Sequence, residues 1–332
     1  MNSKKTQLAY IIGISILILT LFISITYGVK SVGLSDVIDA FIDSNSTDYN
    51  VNIVQARIPR SVFGLIAGAA LSISGLLMQS ITKNPIADPS VLGVNTGASL
   101  FIVIGITFFN LQSKLSYIGV SFIGAIITAL FVYKLASAGY GGPTPIKLAI
   151  AGAATSTALS SFVSLIVMPN SSVMTTYRFW QIGSVGGTSF DDIKLVLPFI
   201  LIGIIISILL SNNLDTILLS EDTATALGLN VNRTKAIAAF SGVLLCATVT
   251  AIAGPISFIG LMVPHIIRMV LCSNHLHLIL LSGIYGASIL LISDVLGRIL
   301  GRPGELETGI MTAIIGGPIF IIIIRKAKVQ SL

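Results

Sequence analysis

The sequence has few charged residues, and this scarcity excludes most classes of soluble protein. Only 10% of its 332 residues are Asp, Glu, Lys or Arg, whereas soluble domains carry about 25%. Mean hydropathy is +0.96. We therefore predict an all-α integral membrane protein in which residues 1–332 form a single membrane domain, because length here counts membrane spans. Its surroundings are expected to be lipid, with no nucleic-acid partner.

Cysteine and histidine are also scarce, and this argues against disulfide, metal and cofactor chemistry. Cys246 and Cys272 lie within or at the end of apolar stretches and show no metal-binding spacing. His275 and His277 are two residues apart, which places them on different sides of a helix, and His265 stands apart from both. We predict no metal site and no bound cofactor. No pairing of a nucleophile with a base is visible either, so no catalytic residue is predicted.

Long apolar stretches dominate what the sequence does contain. About 20 apolar residues in a helix cross the hydrocarbon core of a bilayer, and ten segments meet or approach this length. The first exceeds the apolar region of a typical secretion signal, so it is interpreted as a retained span. The ten predicted spans are 8–28, 61–81, 93–110, 115–135, 147–168, 191–211, 234–253, 256–272, 276–296 and 308–324.

Basic residues suggest an orientation for these spans. Ten is an even number, so both termini are predicted on the same side of the membrane. If that side is the cytoplasm, eleven of the 19 basic residues lie inside. Basic residues favour the cytoplasmic side of a membrane protein. We therefore expect both termini to be cytoplasmic.

The second span has an unusual face of small residues between Arg60 and Lys83. Gly64, Gly68 and Gly75 leave this face nearly free of side chains, so another helix backbone could approach closely. A smooth wall along a path for bulky cargo would require the same residues. After Lys83, residues 84–89 are predicted to turn the chain on the cytoplasmic side.

Residues 29–56 are too polar for a span and are predicted to lie outside. Within this segment Leu34, Ile38 and Ile42 recur at helical spacing, with Asp36 and Asp39 between them. This pattern predicts a short amphipathic helix on the outer membrane surface.

The loop at about 212–233 is predicted on the inner side and contains a short helix. Ser220 suits its N-cap, acidic residues suit its first turn, and a glycine suits its end. Two of its residues, one small and one apolar, are three apart and would share a face. This helix either fills a groove on a cytoplasmic partner or lies on the membrane surface. The spacing is formed by Glu221, Ala224, Leu227 and Gly228.

Motifs along nearly the entire chain resemble the FecCD family of binding-protein-dependent permeases, in the order and spacing of that family. These motifs are Arg57-Ile-Pro-Arg60, Gly68-Ala-Ala-Leu71, Gly75, Gln79, Asn84-Pro-Ile-Ala-Asp-Pro89, Leu92-Gly93, Gly97-Ala98, Trp180-Gln-Ile-Gly-Ser184, the 221–228 spacing, Gly254-Pro-Ile-Ser-Phe-Ile-Gly-Leu-Met-Val-Pro-His-Ile-Ile-Arg268, Asp294 with Arg298, and Gly316-Gly-Pro318.

The resemblance implies the membrane subunit of an ATP-binding-cassette (ABC) importer, with a bundle of about ten helices of the type II importer permease kind. A second permease subunit, identical or homologous, would complete a central path. Two cytoplasmic subunits would carry ATP and Mg, and an extracellular or periplasmic binding protein would deliver cargo. The resemblance also implies a bacterial inner or plasma membrane. Its commonest cargo is a ferric siderophore, with haem and cobalamin as alternatives.

The resemblance assigns three arginines to docking of the binding protein. Arg57, Arg60 and Arg298 match positions that pair with acidic residues on that protein, and exposed arginines are suited to such contacts. The alternative is that they anchor helix ends among lipid headgroups. Asp294, four residues before Arg298, is predicted to pair with it within one helix.

Other residues gain roles only through the resemblance. The loop with Glu221, Ala224, Leu227 and Gly228 is similar to the coupling helix that docks on the ATPase. Thr144 and Pro145 match a cytoplasmic gate.

One departure concerns the entrance to the last span. The family usually has Leu-Pro-Val-Gly or Leu-Pro-Ile-Gly there, where this chain has Leu306-Glu-Thr-Gly309. Glu307 would add a charge near Arg298 and Arg302.

An ion-coupled secondary transporter is the alternative from another class. Gly68-x-x-Leu71 and Gly242-x-x-Leu245 hint at an inverted repeat. Secondary transporters, however, tend to carry ionisable groups near the middle of the membrane, and the sequence predicts none there.

Overall fold

The protein is helical throughout the computed structural model, which describes residues 3–42, 48–138, 144–271 and 274–326. Within those ranges the chain forms α-helices, one short 3-10 turn at Pro89–Leu92, and no strand. The helices are α1 (Ser3–Thr26), α2 (Leu34–Ile42), α3 (Tyr49–Thr82), α4 (Val94–Phe109), α5 (Lys114–Ser137), α6 (Pro145–Val167), α7 (Ser171–Ile182), α8 (Phe190–Leu209), α9 (Ser211–Leu219), α10 (Glu221–Ala226), α11 (Val231–Ala253), α12 (Ile259–Leu271), α13 (His275–Leu300) and α14 (Thr308–Lys326).

All ten predicted spans coincide with helices, and the all-α membrane fold is confirmed. In the described ranges, seven helices are long and apolar enough to cross a membrane. Helices α4, α12 and α14 are apolar as well, but their apolar stretches are shorter. The predicted span 256–272 begins too early, because Phe258, with a φ of 72°, keeps the chain irregular until Ile259. Cys272 lies outside the described residues.

Helix α3 is the central element of the bundle. Its 34 residues measure roughly 51 Å, more than the hydrocarbon core of about 30 Å. Asp48 caps its start by accepting a hydrogen bond from the Asn50 N–H at 2.7 Å. Helices α11, α12 and α13 pack against it, whereas α1 lies at the periphery.

The predicted outer segment 29–56 is partly helical. Its first part contains the short helix α2, as the amphipathic pattern predicts. Its last part is already the beginning of α3, because the chain becomes helical at Tyr49. This shift places Arg57 and Arg60 inside a helix rather than in front of one.

The small-residue face of α3 is a packing surface. A Cβ atom at Gly68 would collide with the backbone of Gly286 in α13, and one at Gly75 would collide with the backbone of Gly260 in α12. Only glycine permits backbones to approach so closely, as in other membrane helix pairs. Close helix packing therefore explains these glycines.

We expect Gly75→Ala to destabilise the protein, because the new methyl group must push α12 away from α3. Overpacking of this kind costs about 1–3 kcal/mol. Thermal unfolding in detergent should show a lower midpoint. Gly119→Ala in α5 is the matched control, since no atom lies within 4 Å of its added Cβ. Equal midpoints for the two variants would contradict the packing argument.

The segment after α3 returns into the bundle instead of staying at its surface. Asp88 caps the 3-10 turn by accepting from the Ser90 N–H at 2.9 Å. Together with Leu71 and Cys246, Asp88 lines a cavity of about 180 Å³. Leu71 lies roughly 16 Å from the end of α3, at 1.5 Å per residue. The turn predicted for residues 84–89 thus forms, but it carries Asp88 inward.

Candidate functional site

An ion cluster joins α3 to α13 near one end of the bundle. Arg60 Nη2 lies 2.8 Å from Asp294 Oδ1, and Arg298 Nη2 lies 3.1 Å from Asp294 Oδ2. Thr308 at the start of α14 donates to Asp294 Oδ1 at 2.9 Å. The Asp294 and Arg298 side chains are each 1% exposed. The predicted Asp294–Arg298 pair is confirmed, and Arg60 extends it to a second helix.

Arg57, one turn before Arg60, is bound by backbone carbonyls. It donates to the carbonyls of Ile25 and Thr26 at 3.1 Å each and to that of Lys30 at 2.6 Å. These carbonyls belong to the end of α1 and the chain after it, where a helix leaves acceptors unsatisfied. Arg57 therefore fastens the end of α1 to α3.

The expectation that the three arginines are exposed is wrong for this chain. Arg57 is 8% exposed and Arg298 is 1% exposed, and most of the Arg60 side chain is covered. The reason is that α3 begins before Arg57 and α13 continues past Arg298, so these residues face neighbouring helices. Their role in docking remains a prediction.

The same arginines form the floor of an open cavity of about 630 Å³. Lys30 and Tyr49 lie on its rim, together with Glu305. Glu305 Oε2 is 2.7 Å from Arg60 Nη1, and its side chain is 42% exposed. Glu305, not the predicted Glu307, is thus the acid paired with this cluster.

The loop between α8 and α11 contains the predicted short helix, α10. The Ser220 hydroxyl accepts from the Thr223 N–H at 2.9 Å, which confirms the predicted cap. Gly228 ends the segment with a φ of 83°, a conformation that favours glycine. Glu221 Oε1 lies 2.8 Å from Lys235 Nζ and 3.5 Å from Lys83 Nζ. The hydrogen bond from Lys235 lowers the pKa of Glu221, so this acid stays ionised and ties the segment to α11.

Ala224 and Leu227 do not present one common surface, contrary to the prediction. Ala224 is completely buried against Ile217 and Val231 of the flanking helices. Leu227 is 70% exposed. Ala224 lies in α10 itself, whereas Leu227 follows its last residue, so the two side chains point to different surroundings. Of these two residues, Leu227 is the one available to a partner; Leu218 and Leu219, just before α10, are exposed as well.

The two residues assigned to a gate begin α6. Thr144 is its N-cap and accepts from the Lys147 N–H at 3.3 Å, and Pro145 occupies the first helical position. Proline is well tolerated there because its missing N–H would be unpaired. This geometry explains the helix start, and the gating role stays a prediction.

A second large cavity, about 610 Å³, lies between α4, α6, α7 and the start of α14. Sequence analysis missed α7, which follows the sixth helix. Two features of the sequence could have revealed it. Asn170 is a residue type that favours the N-cap of a helix, and it does accept hydrogen bonds from the N–H groups of Ser172 and Val173. Val173 and Tyr177 have the i, i+4 spacing of one helix face, and both are buried. Helix α7 contributes Arg178 and other residues to the cavity wall.

Comparison with known proteins identifies the family of this chain. A model of the FecCD transport family matches residues 16–326. The chain belongs to the FecCD transport family. This FecCD permease is 39% identical over 94% of its length, and 93% of the relative's, to the ferric enterobactin transport system permease protein of Escherichia coli. It is 37% identical to a probable siderophore transport system permease protein of Bacillus subtilis, covering 94% of each chain.

A solved structure supports the fold of this FecCD permease. That structure is described as an inward-facing conformation of a metal-chelate type ABC transporter, and it is 26% identical with a TM-score of 0.83. The match covers 97% of this chain and 99% of the other. With the family match, it makes the chain a multi-pass permease of the ABC importer type rather than an ion-coupled secondary transporter.

The FecCD permease also holds a serine, a histidine and an aspartate in the order of a hydrolytic triad, which sequence analysis missed. His275 Nδ1 is 2.7 Å from Asp215 Oδ1, and His275 Nε2 is 2.9 Å from Ser80 Oγ. Ser80 is buried, and its hydroxyl donates to the Leu76 carbonyl of the same helix at 2.8 Å. A serine enclosed in this way cannot reach a substrate. The three residues instead tie α3, α9 and α13 together.

Proposed function

We propose that this permease translocates a ferric siderophore. The observation that carries the proposal is the family match over residues 16–326, together with relatives whose names specify ferric enterobactin and siderophore transport. A bulky chelate suits a path lined by small and weakly interacting residues. Chemical selection can then reside largely in the protein that delivers the cargo.

The energy for transport comes from partner subunits in this proposal. A second permease, identical or homologous, completes the path, and two cytoplasmic subunits bind ATP and Mg. Both termini face the cytoplasm of a bacterium, on the side where α10 protrudes. The exposed Leu227 is the contact to the ATPase, and Glu221, Ala224 and Gly228 give the segment its shape. Thr144 and Pro145 act in the cytoplasmic gate.

At the opposite end, we place docking of the binding protein on the cavity that contains Arg57, Arg60 and Arg298. Arg60 is the arginine with a replaceable partner, because Glu305 is half-exposed while Asp294 is buried. A carboxylate of the binding protein takes the position of Glu305 at Arg60 Nη1. Arg57 and Arg298 hold the helices that form the rim.

The decisive experiment is transport by the assembled importer in vesicles. The permease is co-purified with the products of neighbouring genes, and uptake of radiolabelled iron(III) chelates is measured with and without ATP. We expect uptake that requires ATP and survives an ionophore. Uptake driven by an ion gradient without any ATPase subunit would refute the proposal.

Photo-crosslinking should test the docking surface without disturbing the buried arginines. A photoreactive amino acid at Tyr49, which is 68% exposed beside the outer cavity, is expected to capture the binding protein. The same group at Leu227, at the ATPase end, serves as control and should capture the ATPase subunit instead. Capture of the binding protein from position 227 but not from position 49 would invert the proposed orientation.

A further inference from the structure

The wall of the 610 Å³ cavity contains one charged side chain, Arg178 of α7. The remaining polar wall consists of neutral groups, among them Ser99, Ser160 and Ser164. No carboxylate from the described residues lines this cavity. Its net charge is therefore positive.

Arg178 has no partner within the described part of the chain, unlike the arginines in and around the ion cluster. Arg57 binds carbonyls, Arg60 and Arg298 bind Asp294, and Arg302 donates to the Gly28 carbonyl. Arg178 makes no such ion pair or hydrogen bond among the residues that are described, and its side chain is exposed to the cavity. Its donors remain available to a ligand.

Leaving an arginine unpaired in a cavity between membrane helices costs free energy, and a functional role accounts for that cost. Ionisable residues among membrane helices are rare, and they mark the pathways of substrates and ions. A guanidinium presents several donors in a planar fork that matches carboxylate oxygens. Walls of low dielectric concentrate its field and raise the local concentration of oppositely charged solutes.

We propose that Arg178 makes the cavity selective for ferric chelates with a net negative charge. This inference rests on the proposed function, because it assumes that the cavity belongs to the path of a ferric chelate. Iron(III) bound by three catecholates, or by polycarboxylates in excess, carries a net negative charge. Iron(III) bound by three hydroxamates is neutral and gains nothing from the arginine. A second permease subunit of the same sequence would place a second Arg178 across the path.

The test compares radiolabelled tris-catecholate, citrate and tris-hydroxamate complexes of iron(III), in vesicles that contain the complete importer with its own binding protein. Arg178→Gln is expected to lower the uptake rate of the anionic chelates, measured below saturation, by about tenfold, the lower end of what a focused field contributes. Arg178→Lys should retain most of that rate. Yield of the complex and basal ATP hydrolysis should not change, because the side chain has no partner among the described residues.

Lys194→Gln provides the matched control for loss of one positive charge. Lys194 is exposed in α8 and, among the residues the structure describes, pairs only with Asp191 at 3.0 Å, away from the cavity. It should leave uptake of every chelate unchanged. An equal fall in both variants would mean that net charge alone matters and would overturn the inference.

Chemical restoration of the charge separates electrostatics from shape. In a variant lacking Cys246 and Cys272, Arg178→Cys is treated with methanethiosulfonate reagents that attach a cationic or an anionic group of similar size. The reagent forms a mixed disulfide with the thiol and releases sulfinate. The cationic adduct should recover uptake of anionic chelates and the anionic adduct should abolish it. Equal rates for the two adducts would overturn the inference.

Two outcomes distinguish a failure of this inference from a failure of the proposed function. If the wild-type importer takes up only neutral chelates in an ATP-dependent manner, the inference is wrong and the proposed function survives. If it takes up no ferric chelate, both are wrong. Vesicles without anionic lipid must show the same effect of Arg178→Gln, since an effect limited to anionic lipid would assign the arginine to a lipid headgroup and overturn the inference.

Discussion

Replacing Asp294 with asparagine should be among the most destabilising substitutions in this protein. The carboxylate contacts Arg60 at 2.8 Å and Arg298 at 3.1 Å. Asparagine has nearly the same shape but no charge, so the substitution leaves Arg298 buried without its counter-ion. Breaking a buried pair in this way costs about 3–5 kcal/mol. The midpoint of thermal unfolding in detergent should fall by roughly 5 °C or more.

Asp191→Asn is the control for this prediction. Asp191 also pairs with a basic residue on its own helix, Lys194, but its side chain is 90% exposed. An exposed pair of this kind contributes about 0–1 kcal/mol. Its loss should hardly move the midpoint. Similar midpoints for Asp294→Asn and the wild type would show that Arg60 and Arg298 find other partners, and that the cluster does not hold α3 to α13.

The membrane helices could be predicted from sequence because one strong physical signal controls them. Burying apolar side chains in lipid requires long uninterrupted runs, and such runs are visible in composition alone. The ends of the helices carry no signal of similar strength. Helix α3 begins at Tyr49, in a polar stretch, and its start depends on a single cap from Asp48.

This error at the helix ends caused the error at the outer arginines. The sequence pattern puts Arg57 and Arg60 before a span and so predicts that they face water, whereas they lie inside α3. Arg57 binds carbonyls at the end of α1 and just after it, 27–32 residues away in sequence. Arg60 binds the acid of α13, 234 residues away. Local spacing predicts pairs such as Asp294–Arg298, because both residues share a helix. It cannot predict which helices become neighbours.

The segment that contains α10 shows the same limit of local sequence patterns on a smaller scale. The cap at Ser220 and the glycine at the end of the segment are local features, and the sequence predicts both. Which of Ala224 and Leu227 faces outward depends on how α9 and α11 pack around α10. The structure assigns the buried side to Ala224. A bulky residue at position 224 would therefore disturb the fold before it reached any partner.

Replacing Leu227 with aspartate should therefore separate the permease from its ATPase while leaving the permease folded. An exposed leucine at the end of a capped segment is suited to fill a pocket on a partner, and an aspartate would carry an unpaired charge into that pocket. Losing the burial of one leucine side chain costs about 1.5–3 kcal/mol. The amount of ATPase that co-purifies with the permease should fall by at least about tenfold.

The control for Leu227→Asp must add the same charge at an equally exposed leucine elsewhere. Leu300 is 64% exposed at the opposite end of the bundle, after Arg298 in α13. Leu300→Asp should co-purify with as much ATPase as the wild type does. Leu227→Ala should give an intermediate yield, because it removes the anchor without adding a charge. A normal yield with Leu227→Asp would mean that the segment meets the membrane surface rather than the ATPase, which is the alternative that its spacing also allows.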